Sequence, residues 1–327
     1  MTSPLLTLPS PLLVGFEGED PDWPFLLEMN PLGVILFRRN ITSLQQVKEF
    51  SRQLKEKLPH ALLTVDLEGG RVNRFDHLIG PFPPPAAWAA RSKTAGQVLG
   101  CLCRSLGIDL TFAPVVDLEQ GGTTNGLEER LMGARPDGVA ASAMAFLQGL
   151  HDQGIHGCLK HFPGLGSTQV DSHFHMPTLA LSQEDWQQND FRVYQILARS
   201  GFSQTGIMLA HCRVPFWEGE NAGGSRHAFR LLDALGFRGP RFSDDLDMGA
   251  LKEQGALEEV VDVMLDLGMT ALLACRNRDH QTLVFERWQQ KGAPRAVYPF
   301  KRMPPPPGPA PTIEEACEAY ARFCLDY

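Results

Sequence analysis

No uninterrupted apolar stretch approaching the roughly 18 residues of a membrane span occurs in this chain, so it has no candidate transmembrane helix. Its seven cysteines, at 101, 103, 158, 212, 275, 317 and 324, form no CxxC pair and no framework spacing. That disfavours a disulfide scaffold and a structural zinc site, and a reducing cytoplasm is the expected compartment. Positive charge is in deficit: 30 Lys and Arg against 38 Asp and Glu give a net charge of −8. A concentrated basic face for nucleic acid is therefore not expected. The N-terminal stretch lacks a basic segment and is broken by Pro4, Pro9 and Pro11, unlike a signal peptide.

The chain does have eight short apolar runs separated by stretches of helical length. The runs are Leu12 to Phe16, Gly33 to Phe37, Ala61 to Asp66, Leu110 to Val116, Gly157 to His161, Gly206 to His211, Arg241 to Asp244 and Thr270 to Cys275. Between them, Leu44 to Leu58, Ala95 to Leu106, Gly138 to Gln153, Asp190 to Ser200 and Leu257 to Leu267 carry apolar residues at helical spacing. Near-continuous apolar strands alternating with helices imply a covered parallel sheet, and eight of them favour closure into a (β/α)8 TIM-type barrel over an open doubly wound sheet. The catalytic barrel is expected over residues 1–302. A Pro-rich linker begins at Met303, and a short C-terminal helix capped by Thr312 should pack back on the barrel.

Polar residues gather at the C-terminal ends of the runs: Glu17, Arg38, Asp66, Asp117, Lys160, His161, His211, Asp244 and Arg276. In a barrel those ends converge on one mouth, where barrel enzymes keep their active sites. After the fifth run comes a loop with Gly164, Gly166, Asp171, His173 and His175. Asp171, two positions before His173, is suited to orient and charge-stabilise an imidazole, which makes the two a candidate acid/base dyad. After the third run, Asp66 and Glu68 leave the strand on one side, and Arg71 and Arg74 add forked donors, a ledge suited to hydroxyl groups. On the seventh run, strict alternation would send Asp244 and Asp245 to opposite faces, one to the axis and one to cap the next helix. A magnesium site on these aspartates ranks lower, because the lysine and arginines at the same mouth already neutralise carboxylates.

Seven segments in collinear order resemble the bacterial family 3 glycoside hydrolases, specifically the single-domain β-N-acetylglucosaminidases. They are Gly33 to Phe37 with Asn40, Val65 to Arg74, Phe112 to Asp117, Lys160 to Gly164, Asp171 to His173, Ile207-Met208 with Ala210-His211, and Phe242 to Leu246. The resemblance implies a retaining hydrolase that removes terminal N-acetylglucosamine, in many bacteria from muropeptides during cell-wall recycling. It implies Asp244 as nucleophile, His173 as acid/base with Asp171 as its partner, and sugar contacts from Asp66, Arg74, Arg130, Lys160 and His161. No cofactor, nucleic acid or membrane partner is implied, and the substrate is a small carbohydrate. Where the family usually has histidine and glutamine, this chain has Leu165 and Leu67, and Leu267-Gly268-Met269 replaces an Ala-Gly-x-Asp, so a changed pocket rim is expected. Other readings of the same residues are a different β-glycosidase, a glycoside phosphorylase, a metal-dependent amidohydrolase suggested by His173 and His175, and a binding protein that has lost catalysis.

Overall fold

The computed structural model describes residues 9–121, 125–172, 174–199, 204–217, 221–253, 256–292, 300 and 306–327. Eight parallel strands close into a barrel: β1 Ser10–Val14, β2 Pro31–Leu36, β3 Leu62–Val65, β4 Leu110–Thr111, β5 His156–Phe162, β6 Thr205–Leu209, β7 Arg241–Asp245 and β8 Ala271–Ala274. Each pairs with its sequence neighbours, and Leu12 to Val14 of β1 pair with Leu272 to Ala274 of β8 to shut the ring. A main helix follows each strand on the outside, with short extra helices after the third and fifth strands: α1 Trp23–Met29, α2 Leu44–Lys57, α3 Ser92–Leu106, α4 Pro136–Asp152, α5 Asp190–Arg199, α6 Arg226–Ala234, α7 Leu257–Asp266 and α8 Arg278–Gln290. The (β/α)8 expectation is met, with helix ends within a few residues of those read from the apolar spacing. Among the described residues, no helix is long and apolar enough to cross a membrane.

The helices form for local reasons that the sequence carries. Ser43 accepts a hydrogen bond from the Gln46 amide at the start of α2, and Ser225 accepts from the His227 and Ala228 amides at the start of α6. Such caps satisfy amides that the first turn leaves without partners. Where α3 and α4 cross, Gly96 and Gly149 let the backbones touch; a Cβ on Gly96 would lie 2.1 Å from the Phe146 carbonyl oxygen.

Two apolar layers result. One lies between strands and helices; the other fills the barrel with Leu13, Leu32, Ile35, Leu62, Leu110, Phe112, Met208, Phe242 and Leu273 among others. Phe300, beyond α8, stacks on His156 at the start of β5 with ring centroids 3.9 Å apart, and so closes the bottom of the barrel. β4 is shorter than its apolar run because Pro114 has no amide to donate; beyond it a single bridge, Val115 to Lys160, continues the pairing.

The C-terminal helix α9, Ile313–Cys324, begins at Thr312, which accepts from the Glu315 amide while Glu315 accepts from the Thr312 amide. It lies against α3 and against the loop that follows β3. Residues 303–305, at the start of the Pro-rich stretch, lie outside the described residues.

Candidate active site

The mouth of the barrel opens into a cavity of about 350 Å³. Its floor is the upper surface of the barrel core, with Ile35, Met208 and Leu273, and its walls carry Asp66, Glu68, Arg71, Arg74, Arg130, Lys160, His161, Asp171, Asp244 and Asp245. Every site residue read from the sequence lines it except His173, which lies outside the described residues. Asp171 and Ser172 do line it.

β3 and the hairpin Leu67–Gly69/Val72–Asn73 build one wall. Lys160, 3% exposed, reaches across from β5 and donates to Asp66 Oδ1 at 2.8 Å and to Glu68 Oε1 at 2.6 Å. Arg74 donates to the other oxygen of Asp66 at 2.8 Å. Arg130 grips Glu68 with Nε and Nη2 at 2.8 and 3.0 Å, and its Nη1 meets the Gly126 carbonyl at 3.1 Å. Burial alone would raise both carboxyls, but the cations outweigh it. Lys160 and then Arg74 hold Asp66 far below the ordinary carboxylate range, and Arg130 and then Lys160 bring Glu68 down to about 2. The same carboxylates hold Lys160 charged against its own burial.

His161 is fixed from below. Its Nδ1 lies 2.7 Å from Asp117 Oδ2, while Asp117 Oδ1 also accepts the Leu165 amide at 2.8 Å. This leaves Nε2 directed toward Arg130 at 3.4 Å. Beside Arg130, the Asp171 carboxylate sits over Gly126, so closely that a Cβ there would lie 2.8 Å from Oδ2.

On β7 the structure corrects the expectation of opposite faces, since Asp244 and Asp245 both line the cavity. The cause is a register shift against β8: Ala271 pairs with Phe242 and Leu273 with Asp245, so three steps on β7 match two on β8. An extra residue in one strand breaks the strict alternation of side chains. Among the described residues Asp245 caps no α-helix, the next one starting from Ala256; its Oδ1 accepts the amides of Asp247 at 3.1 Å and Cys275 at 3.2 Å. Burial, and then the neighbouring Asp247, push its carboxyl up to about 7. The same irregularity occurs in β5, where Leu159 pairs with Ile207 and Phe162 with Leu209, and there the consecutive Lys160 and His161 both face the cavity.

Other strand-end residues do not converge. Glu17 and Arg276 pair at 3.1 Å beside a separate cavity of about 340 Å³, and Arg38 pairs with Asp76 at the surface. His211 is fully buried outside the cavity lining, and burial lowers its pKa. The changed rim also needs correction. Leu165 lines the cavity, but Leu67 is buried behind it, with its amide on Thr111, and Met269 closes the C-terminal turn of α7. Asp117, read from the sequence only as a strand-end charge, holds His161, and Asp245, expected on the face opposite Asp244, joins the wall. Asn125, also on the wall, sits in a loop with no periodic signal. Among the described residues, no group of three or more His, Cys, Asp or Glu is placed to hold a metal ion.

Set against known proteins, residues 24–291 match the glycosyl hydrolase family 3 N-terminal domain. The chain belongs to glycosyl hydrolase family 3. It is 35% identical to a beta-hexosaminidase of Xylella fastidiosa strain M23 over 81% of this chain and 83% of that protein. It is 34% identical to a beta-hexosaminidase of Neisseria meningitidis serogroup C, over 82% and 77% of the two chains. The crystal structure of NagZ from Neisseria gonorrhoeae in complex with N-trifluoroacetyl-D-glucosamine superposes with a TM-score of 0.78 at 26% identity, covering 98% of both chains.

Proposed function

We propose that this family 3 chain is an exo-acting β-N-acetylglucosaminidase that works by double displacement with retention. The observation that carries the reading is the form of the cavity: it ends on an apolar floor, its volume is at the small end for ligand sites, and charged and hydrogen-bonding groups ring its walls. That shape suits one terminal sugar rather than the middle of a polymer. The curated relatives, beta-hexosaminidases, supply the sugar class.

Asp244, on the wall at the end of β7, attacks the anomeric carbon. His173, oriented by Asp171, protonates the departing glycosidic oxygen and then takes a proton from the water that releases the sugar. Asp66, Arg74, Arg130, Lys160 and His161 hold the sugar; their mutual ion pairs are in place before substrate arrives, so little reorganisation is needed on binding. Muropeptide fragments processed in the cytoplasm are the natural source we assign to the substrate, on the chain's resemblance to the family's cell-wall recycling enzymes.

The test is a proton NMR time course on two aryl β-glycosides that differ only at the sugar 2-position. The N-acetylglucosaminide should be cleaved in strong preference to the glucoside, and the β-anomer should appear first. His173→Ala should accumulate glycosyl-enzyme and, with azide, give the β-glycosyl azide, since azide needs no deprotonation. An α-anomer at early times would make Asp244 a base rather than a nucleophile. Loss of turnover in His173→Ala without azide rescue would move the acid/base role to another residue.

A further inference from the structure

The hairpin that carries Glu68 and leads into Arg74 is tied to the far end of the chain. Asn73, its last residue, donates from Nδ2 to the Tyr320 hydroxyl of α9 at 2.7 Å. The Tyr320 hydroxyl donates in turn to the Gly80 carbonyl at 2.9 Å, and Asn73 Oδ1 accepts the Phe75 amide at 3.0 Å. One phenol thus gathers the hairpin and the loop after it. Both polar side chains, Asn73 and Tyr320, are buried, so each depends on these partners.

The same helix also reaches the hairpin's tip. Phe82 stacks on Phe323 with centroids 5.0 Å apart and lies 5.1 Å from the Tyr320 ring. The carbonyls of Phe82 and Pro83 accept the Gly70 amide at 3.1 and 3.2 Å. At Gly69, where φ is +92°, a Cβ would come within 2.9 Å of the Pro83 carbonyl oxygen, so the hairpin presses directly on this loop. On its other side the hairpin reaches the site, through Glu68 with Lys160 and Arg130, and its chain leads on to Arg74, which pairs with Asp66.

We infer that Tyr320 is a positioning residue for the sugar pocket, acting through Asn73 to hold the hairpin whose Glu68 fixes Lys160 and Arg130 and which leads into Arg74, so that Lys160, Arg130 and Arg74 are in place to receive substrate. The inference rests on the proposed reading of those residues as sugar contacts. The rival is a helix that only adds stability. The two differ in what loss of one hydroxyl does, because a displacement of about 1 Å far from the chemistry can cost on the order of 100-fold in rate.

The test uses full-length Tyr320→Phe, which keeps the aromatic stack and removes the hydroxyl, with Asn73→Ala and the double variant beside it. Hydrogen exchange of peptides covering residues 67–74 should rise in Tyr320→Phe. KM for an aryl β-N-acetylglucosaminide and the inhibition constant of free N-acetylglucosamine should rise together, roughly fivefold to tenfold, with kcat changing less. The double variant should be no worse than the worse single one, since both changes break one link. A lowered melting temperature with unchanged KM and inhibition constant would overturn the inference and leave Tyr320 structural. Unchanged exchange at 67–74 would overturn it whatever the substrate is. A wild-type enzyme that cleaves no β-N-acetylhexosaminide would instead sink the functional reading, with the exchange measurement still deciding whether the brace exists.

Discussion

β5 carries a histidine near each end, and the two have different fates. At the bottom of the barrel His156 lies under the Phe300 ring with Nδ1 3.1 Å from the Gln204 carbonyl, and burial pushes its pKa down to about 4. At the mouth, His161 is held by the Asp117 carboxylate, and its Nε2 lies 3.4 Å from Arg130. One side chain on one strand is a neutral packing element at one end and part of an ionic lattice at the other. The contrast shows that residue type does not set the role; the groups that the strand end assembles around it do. The bottom is sealed by an aromatic ring, while the mouth is kept polar by charges that satisfy one another.

The sharpest way to break this contrast is at Lys160. Lys160→Met would leave Asp66 and Glu68 buried without their shared cation, a loss that typically costs about 3–5 kcal/mol. kcat/KM should fall on the order of 100-fold or more as the sugar wall loses its geometry. Urea unfolding and steady-state kinetics would measure the two together. Activity surviving at near the native level would mean that the lattice supports the fold and does not hold substrate.

Phe300→Ala probes the opposite end. Removing a buried phenylalanine typically costs about 3–5 kcal/mol, yet kcat/KM of the folded fraction should stay near the native value because the apolar core lies between seal and mouth. A parallel fall in kcat/KM would show that the two ends are mechanically coupled.

The smallest effect concerns Asp245. Its carboxyl is raised from the ordinary 3.8 to about 7, so between those values the native state holds a proton that the unfolded chain has released. That contribution to stability is present at low pH and is lost as pH rises through the window. Asp245→Asn should flatten the decline by about 1–2 kcal/mol, allowing for solvent at the cavity wall. Melting temperatures of both proteins between pH 5 and 7.5 would read it. An unchanged slope would assign the decline to another buried acid, of which Asp190, also raised to about 7, is one.

Much of the barrel was legible because its signals are local. The apolar spacing of Leu44 to Leu58 and the cap at Thr312 each specify an element without reference to any other part of the chain. The mouth was legible for a related reason: once the runs are strands of a barrel, their last residues gather at one end, and Asp66, Lys160, His161 and Asp244 follow. What stayed hidden depends on partners distant in sequence. Nothing near Phe300 says that it will meet His156, and nothing near Tyr320 points to Asn73. The pairing of Asp244 with Asp245 on one wall was misread because alternation was taken to run unbroken, and an extra residue in β7 leaves no mark in composition.

Those two irregular strands have a consequence for counting. A strand of period two has a frame, much as a coding sequence does, and in β5 and β7 the interior phase runs through Cys158 to Lys160 and through Phe242 to Asp244. His161 and Asp245 fall out of that phase and would face the helices if the frame were kept. The shift turns both inward, so the mouth carries one imidazole and one carboxyl more than strict alternation would allow. Because the additional groups lie above the barrel's interior layer, the core below can change its apolar residues without taking them from the wall. Point substitution can change what stands at 161 or 245, but only insertion or deletion can change which way it faces.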